Sequence, residues 1–361
     1  MFNNVALDVV IGLVFVYLLY SLLGTLIQEI IATNIGLRGK ILEKAIKRML
    51  DDSGKSQGSK LSAEFYKHPL IKYLADGSWP LKKKPSYIDP QTFSKVVIDL
   101  LRGQDVQPGS ADRPLIQQSL TDKKILWDPT VSIEDETALY LKSIWADAQG
   151  DVIKFKASLE NWFNEMMDRT TGWYKKYTQL ILLFVGLAIA IVFNVDTIKI
   201  ISKLQSNPTI RNQVLEQADA FAKANPNLDE KIVQTEAKIN TKIWSKADSV
   251  NLSKKALTED VASKKLRDTL FDQATKLVGN NIDNVNSVLA IGWKPGGYEN
   301  NKADLNVKSI IGWLLTALAI SMGAPFWFDL LNKLMQLRGS IAPKDGSNKK
   351  SAGAKKVNTV G

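Results

Sequence analysis

Residues 9–28 read VVIGLVFVYLLYSLLGTLIQ, without a charged side chain from Val9 to Gln28. A helix rises about 1.5 Å per residue and the hydrocarbon core of a bilayer is about 30 Å thick, so this run has the length of a membrane span. Two further stretches match it. Tyr177–Val195 reads YTQLILLFVGLAIAIVFNV and Ser309–Phe328 reads SIIGWLLTALAISMGAPFWF. The sequence therefore predicts an all-α integral membrane protein with three transmembrane helices and two helical domains outside the lipid.

The flanks of the three runs orient them. No basic residue stands between Met1 and the first run, whereas Arg38, Lys40, Lys44, Lys47 and Arg48 follow it. The second enters after Arg169, Lys175 and Lys176 and leaves through Asn194 and Asp196; the third runs into Lys333, Arg338 and a lysine-rich tail. Basic flanks stay in the cytoplasm. The expected topology has the N-terminus outside and the C-terminus inside a bacterial inner membrane. The expected layout is an anchor helix over 1–33, a cytoplasmic helical domain over 34–176, a span over 177–195, an extracytoplasmic helical domain over 196–306, a span over 307–328, and a cytoplasmic basic tail over 329–361, disordered after about 340. The first run lacks a basic leader and ends in Gln28-Glu29-Ile30 instead of small residues, so it reads as an anchor and not as a cleaved signal.

Composition narrows the chemistry. The chain has 361 residues, a formal charge of +10, no cysteine and one histidine, His68. Thiolate nucleophiles, disulfides and the usual histidine or cysteine metal clusters are thereby excluded, and no catalytic, cofactor or metal site is expected. Gly54-Lys55-Ser56 imitates the end of a phosphate-binding loop, but Met49 stands where that loop requires glycine. The charge excess adjoins the spans, which points to anionic lipids at the basic cytoplasmic flanks and not to nucleic acid.

Between the first two spans the pattern is helical. Ile41, Leu42, Ala45, Ile46, Met49 and Leu50 form an apolar stripe that either lies on the membrane or docks on the cytoplasmic domain. Asp89-Pro90 opens a helix closed by Gly103; Ser132 with Asp135 reads as a capping box; and a helix from about Asp151 has no proline before the second span, predicting one rod of about 65 Å. In the outer segment, 228–247 and 254–277 read as exposed helices, and Trp293 and Tyr298 suit an interfacial belt.

Several blocks together, HPLI with PSYI (68–71 and 85–88), WFNEMMDRTTGWY (162–174), NVDT (194–197) and GAPFWFDLL (323–331), resemble a widespread bacterial family of three-span membrane proteins without assigned activity. The resemblance implies an inner-membrane location and no reaction.

The candidate interface residues are Glu29, Arg38, Asp168, Arg169, Pro325 and Asp329. On the expected topology Glu29, Asp168, Arg169 and Asp329 share one face, where they serve either as a proton or cation relay or as an ion-pair cluster fixing the helices; the absence of an acid at mid-span favours the cluster. Pro325 after Gly323 breaks the third span, as a hinge or as a fixed bend that seats Phe326, Trp327 and Phe328 among the headgroups. Gly186 with Ala190 and Ala319 with Gly323 permit close helix approach, within the bundle or between copies. The function these features suggest is a non-catalytic anchor or scaffold subunit with a protein partner or as a homo-oligomer; the alternative is a transport or channel subunit acting as an oligomer.

Overall fold

A computed structural model describes residues 5–52, 60–74, 84–104, 112–226, 279–293 and 306–341. The described chain is helical, with one isolated bridge between Lys124 and Ser132. In order the helices are α1 (Val5–Asn34), α2 (Leu37–Leu50), α3 (Leu61–Lys67), α4 (Pro69–Lys72), α5 (Pro90–Arg102), α6 (Asp112–Asp122), α7 (Asp135–Asp147), α8 (Val152–Val192), α9 (Thr197–Ser206), α10 (Pro208–Ala224), α11 (279–289), α12 (Val307–Ser321) and α13 (Ala324–Ile341). Two of them, α1 and α8, are long and apolar enough to cross a membrane, or three if the bent pair α12–α13 counts as one. The expected helices at 228–247 and 254–277, Tyr298, the Gly54-Lys55-Ser56 loop and the tail after 341 lie outside the described residues.

Most of α8 was legible. The Asp151 carboxylate accepts from Ile153 N and Lys154 N, capping a helix of 41 residues, about 60 Å, that continues without a break through the second apolar run. Its first half presents Phe155, Leu159, Phe163 and Met167 to a core shared with α2, α3, α5, α6 and α7, in which Leu42, Ile46, Phe65, Phe93 and Leu101 are fully buried. The apolar stripe of α2 docks in this core. Asp89 caps α5 through Thr92 N, and Gly103 ends it at φ 89°, as the sequence predicts.

The capping box at Ser132 is corrected. Ser132 pairs with Lys124 in the bridge, and α7 begins at Asp135, where the Asp52 carboxylate accepts from Glu136 N and Thr137 N. A residue far away in sequence satisfies the free N–H groups that a local hydroxyl was expected to satisfy.

The second core surrounds α1. Its N-terminal half carries Ile11, Phe15, Leu18 and Leu19 at 0% exposure, enclosed by α9, α10, α11 and α13. Gly12 lets Leu204 and Val214 approach to van der Waals contact, and Phe15 meets Phe221 with ring centroids 5.7 Å apart. The most apolar window of α1 is 67% buried in protein against 28% for α8. Much of the first apolar run is therefore shielded by protein, while α8 presents Tyr177, Leu180, Phe184, Ile191 and Val192 outward.

The third run is not a straight span. α12 has 15 residues, about 22 Å, and Gly323 (φ 84°) turns the chain by 94° into α13. Pro325 occupies the first turn of α13, where its missing N–H leaves no bond unmade; the left-handed glycine makes the break. Trp327 and Phe328 are buried against α1 and not among headgroups: Trp327 stacks on Tyr17 at 4.8 Å and donates its Nε1–H to Ala319 O at 2.7 Å. α13 then ends at the beginning of α1, with Arg338 Nε 3.1 Å from Asp8 Oδ1. That contact sets residues 8 and 338 side by side, whereas their flanks alone suggest opposite membrane faces.

Candidate functional site at the α1–α2 elbow

α1 ends where Gly36 adopts the left-handed conformation (φ 62°), which folds Arg38 back over the last turn. Arg38 Nη2 donates to Glu29 Oε1 at 3.2 Å, Arg38 Nε donates to the Tyr174 hydroxyl at 3.1 Å, and the guanidinium lies 5.6 Å from the Tyr174 ring centre. Both charged side chains are only about a quarter exposed. Ala32, Leu37, Ile41 and Tyr174 pack beneath them. Gly39 cannot carry a side chain, because a Cβ there would stand 2.8 Å from Lys84 O. α1, α2 and α8 are thus pinned together at one point, by one acid, one base and one phenol.

Next to this pin, α2 lays cations on aromatic rings of α8. Lys44 Nζ lies 5.6 Å from the Trp173 ring centre and 5.7 Å from that of Tyr177, and donates to the Tyr177 hydroxyl at 3.4 Å. Arg48 lies 5.5 Å from Trp173. The arrangement sets two cations against aromatic rings at the edge of an apolar surface.

The expected four-residue charge cluster does not assemble. Glu29 is engaged by Arg38; Asp168 and Arg169 are exposed on α8; and Asp329 is exposed on α13, bonded to Lys333 at 2.7 Å. The reason is the bend at Gly323, which carries Asp329 away toward the other end of α1. What sequence reasoning missed is that Arg38, four residues past the end of α1, is the partner of Glu29; the turn signal was the Asn34-Ile35-Gly36 stretch between them.

A second polar centre closes the opposite end of α8. Asn194 (φ 50°) ends the helix, its Oδ1 accepting from Trp313 Nε1 at 3.2 Å and its Nδ2 donating to Gly292 O at 3.0 Å. Asp196 then caps α9, and Thr197 joins Tyr17 and Thr316 in a buried hydroxyl chain at 2.9 and 2.8 Å. Gly312 lies against the Asp196 carboxylate so closely that any side chain there would collide with it. Trp293 Nε1 donates to the last carbonyls of α8, Ile191 O and Val192 O. The four residues 194–197 lock α1, α8, α9 and α12 together.

Away from both centres, His68 is buried, with Nδ1 accepting from Leu70 N and Nε2 3.6 Å from Asp99 Oδ2. Burial pushes its pKa below the usual value, with Lys95 adding to the fall and Asp99 opposing it. An open cleft of about 540 Å³ between α6 and α7, lined by Arg113, Gln117, Lys142 and Trp145, is shallow and polar, unlike an enclosed ligand pocket. Among the described residues no group of three carboxylate or histidine side chains converges on a metal position.

No protein-family model matches the chain, and neither curated proteins nor solved structures include a significantly similar one.

Proposed function

We propose that this protein is a non-catalytic membrane anchor or scaffold subunit of a larger assembly in a bacterial inner membrane. The observation that carries the reading is α8: one uninterrupted helix of 41 residues is rooted in the α2–α7 core, presents an apolar face at its centre, and ends in the Asn194–Trp313 lock. Such a helix holds a domain at a fixed distance from the membrane. The basic residues of α2 and of the start of the span support a cytoplasmic side for the α2–α7 layer. The Asp8–Arg338 contact supports a re-entrant α12–α13 hairpin, with Asp8 and Arg338 both on the opposite side. The partner is a second protein or another copy of this chain, engaged through the soluble layers.

The test is affinity capture of the full chain from membranes in mild detergent after cross-linking in cells. A stoichiometric heteromer or homo-oligomer supports the scaffold; a chain that is recovered alone overturns it. The rival transport reading draws on the 94° break, a feature that also occurs in pore-lining hairpins. Against it, the Ala319 carbonyl at that break accepts from both Met322 N and Trp327 Nε1, and the Ile320 carbonyl accepts from Gly323 N. Cation or proton flux in proteoliposomes containing only this chain would decide for transport.

A further inference from the structure

We propose that Lys44 and Arg48 of α2, with Trp173 and Tyr177 of α8, form a binding site for the phosphate of an anionic phospholipid whose acyl chain lies along Leu180 and Phe184. Three observations converge on it. The first is unspent charge. The neighbouring acid, Glu43, is committed to Lys47 and Lys84, each at 2.6 Å, and among the described residues neither Lys44 nor Arg48 has an acidic partner. The second is geometry: the rings hold both cations in place while leaving donors free, since Lys44 gives one N–H to Tyr177 and the guanidinium fork of Arg48 lies over Trp173. A phosphate accepts from an ammonium and a guanidinium together, and the fork suits its paired oxygens.

The third observation fixes the ligand as a lipid and not a soluble phosphate. Trp173, Tyr177, Leu180 and Phe184 follow helical spacing down one stripe of α8, and the last three are 39%, 50% and 63% exposed. The stripe leads from the cations straight onto the apolar surface of a helix long enough to span a membrane, over the length of about two helical turns. A charged head and an adjoining apolar tail are what this surface complements. The inference does not depend on the scaffold reading.

The experiment uses the full chain carrying Phe184→Trp as a fluorescent reporter, in nanodiscs of phosphatidylcholine with graded fractions of dibrominated phosphatidylglycerol; quenching in excess of wild type isolates the reporter. Saturation of quenching at low phosphatidylglycerol fraction is expected, with the midpoint moving about tenfold upward in Lys44→Gln/Arg48→Gln. Lys154→Gln/Lys175→Gln, which removes equal charge from exposed positions of α8, one far along the helix from the rings and one on the side opposite them, is expected to leave the midpoint in place. Equal quenching by dibrominated phosphatidylcholine, or an unmoved midpoint in the Lys44/Arg48 variant, overturns the proposal. Displacement by free inorganic phosphate would reassign the site to a soluble anion and overturn it equally.

Discussion

Arg338 reaches Asp8 across 330 positions of sequence, Nε to Oδ1 at 3.1 Å, and the buried Asp8 carboxylate fixes the end of α13 to the start of α1. The proposed re-entrant hairpin puts Asp8 and Arg338 on one face of the membrane. Single cysteines in this cysteine-free chain test it. With an impermeant thiol reagent on intact spheroplasts, Ser249→Cys and Ser347→Cys are expected to label and Ser53→Cys to be protected. Protection of position 347 together with position 53 would restore a straight third span.

The same contact has an energetic signature. Asp8→Arg leaves two cations facing one another next to a buried core, and it is expected to lower detergent-solubilised stability by on the order of 2 kcal/mol. Combining it with Arg338→Asp restores an opposite-charge pair and is expected to recover about half of that loss. Additive losses in the double variant would show that the two residues do not meet.

At the other end of α1, a double-mutant cycle separates the observed pairing from the one the flanks suggested. Glu29→Gln and Arg38→Gln are expected to couple by about 1 kcal/mol, while Arg169→Gln with Asp329→Asn couples by roughly zero, since Asp329 bonds Lys333. Thermal melting in detergent gives both numbers. Coupling between Arg169 and Asp329 would sink the described path of α13.

Close packing between α8 and α12 rests on Gly186, where a Cβ would stand 3.0 Å from Ile320. Gly186→Val is expected to cost about 1–3 kcal/mol through overpacking, and Ile320→Ala in the same chain to relieve part of it. If Gly186→Val instead alters only the oligomeric state seen by native mass spectrometry, with melting unchanged, the glycine faces another molecule.

Because burial lowers the pKa of His68, the unfolded chain takes up a proton at higher pH than the folded one. Its contribution is complete above the unfolded value near 6.5 and is lost as pH falls from there toward the folded value. Lys95 and Asp99 are the charged groups facing it. The melting temperature is expected to drop between pH 7.5 and pH 5.5, above the carboxylate range, and His68→Gln to flatten that drop. An unchanged pH dependence in the variant would assign the effect to other groups.

Caps and stripes were readable because their causes are local. Asp151 before α8, Asp89 before α5 and the alternating apolar face of α2 act within one or two turns, and hydropathy finds the long helices by the same locality. The Asp52 cap, the Arg38–Glu29 pair and the Arg338–Asp8 contact were hidden because they depend on which distant segments meet. Hydropathy also treats lipid and protein as the same apolar solvent. It therefore cannot separate Leu180 and Phe184, which face outward, from Phe15 and Leu18, which face α9, α10 and α13. The third run shows the same blindness: Ala317 and Ile320 are buried before the left-handed Gly323, Phe328 and Leu331 after it, and an average over the whole run does not register the turn between them.

The enclosure of α1 bears on how the protein is made. A ribosome delivers Val5–Asn34 long before it delivers α9, α10 or α13, so Phe15, Leu18 and Leu19 emerge with no protein to cover them. At about 45 Å the helix is longer than the hydrocarbon is thick, so until its protein cover is synthesised the lipid is the apolar surround open to those side chains.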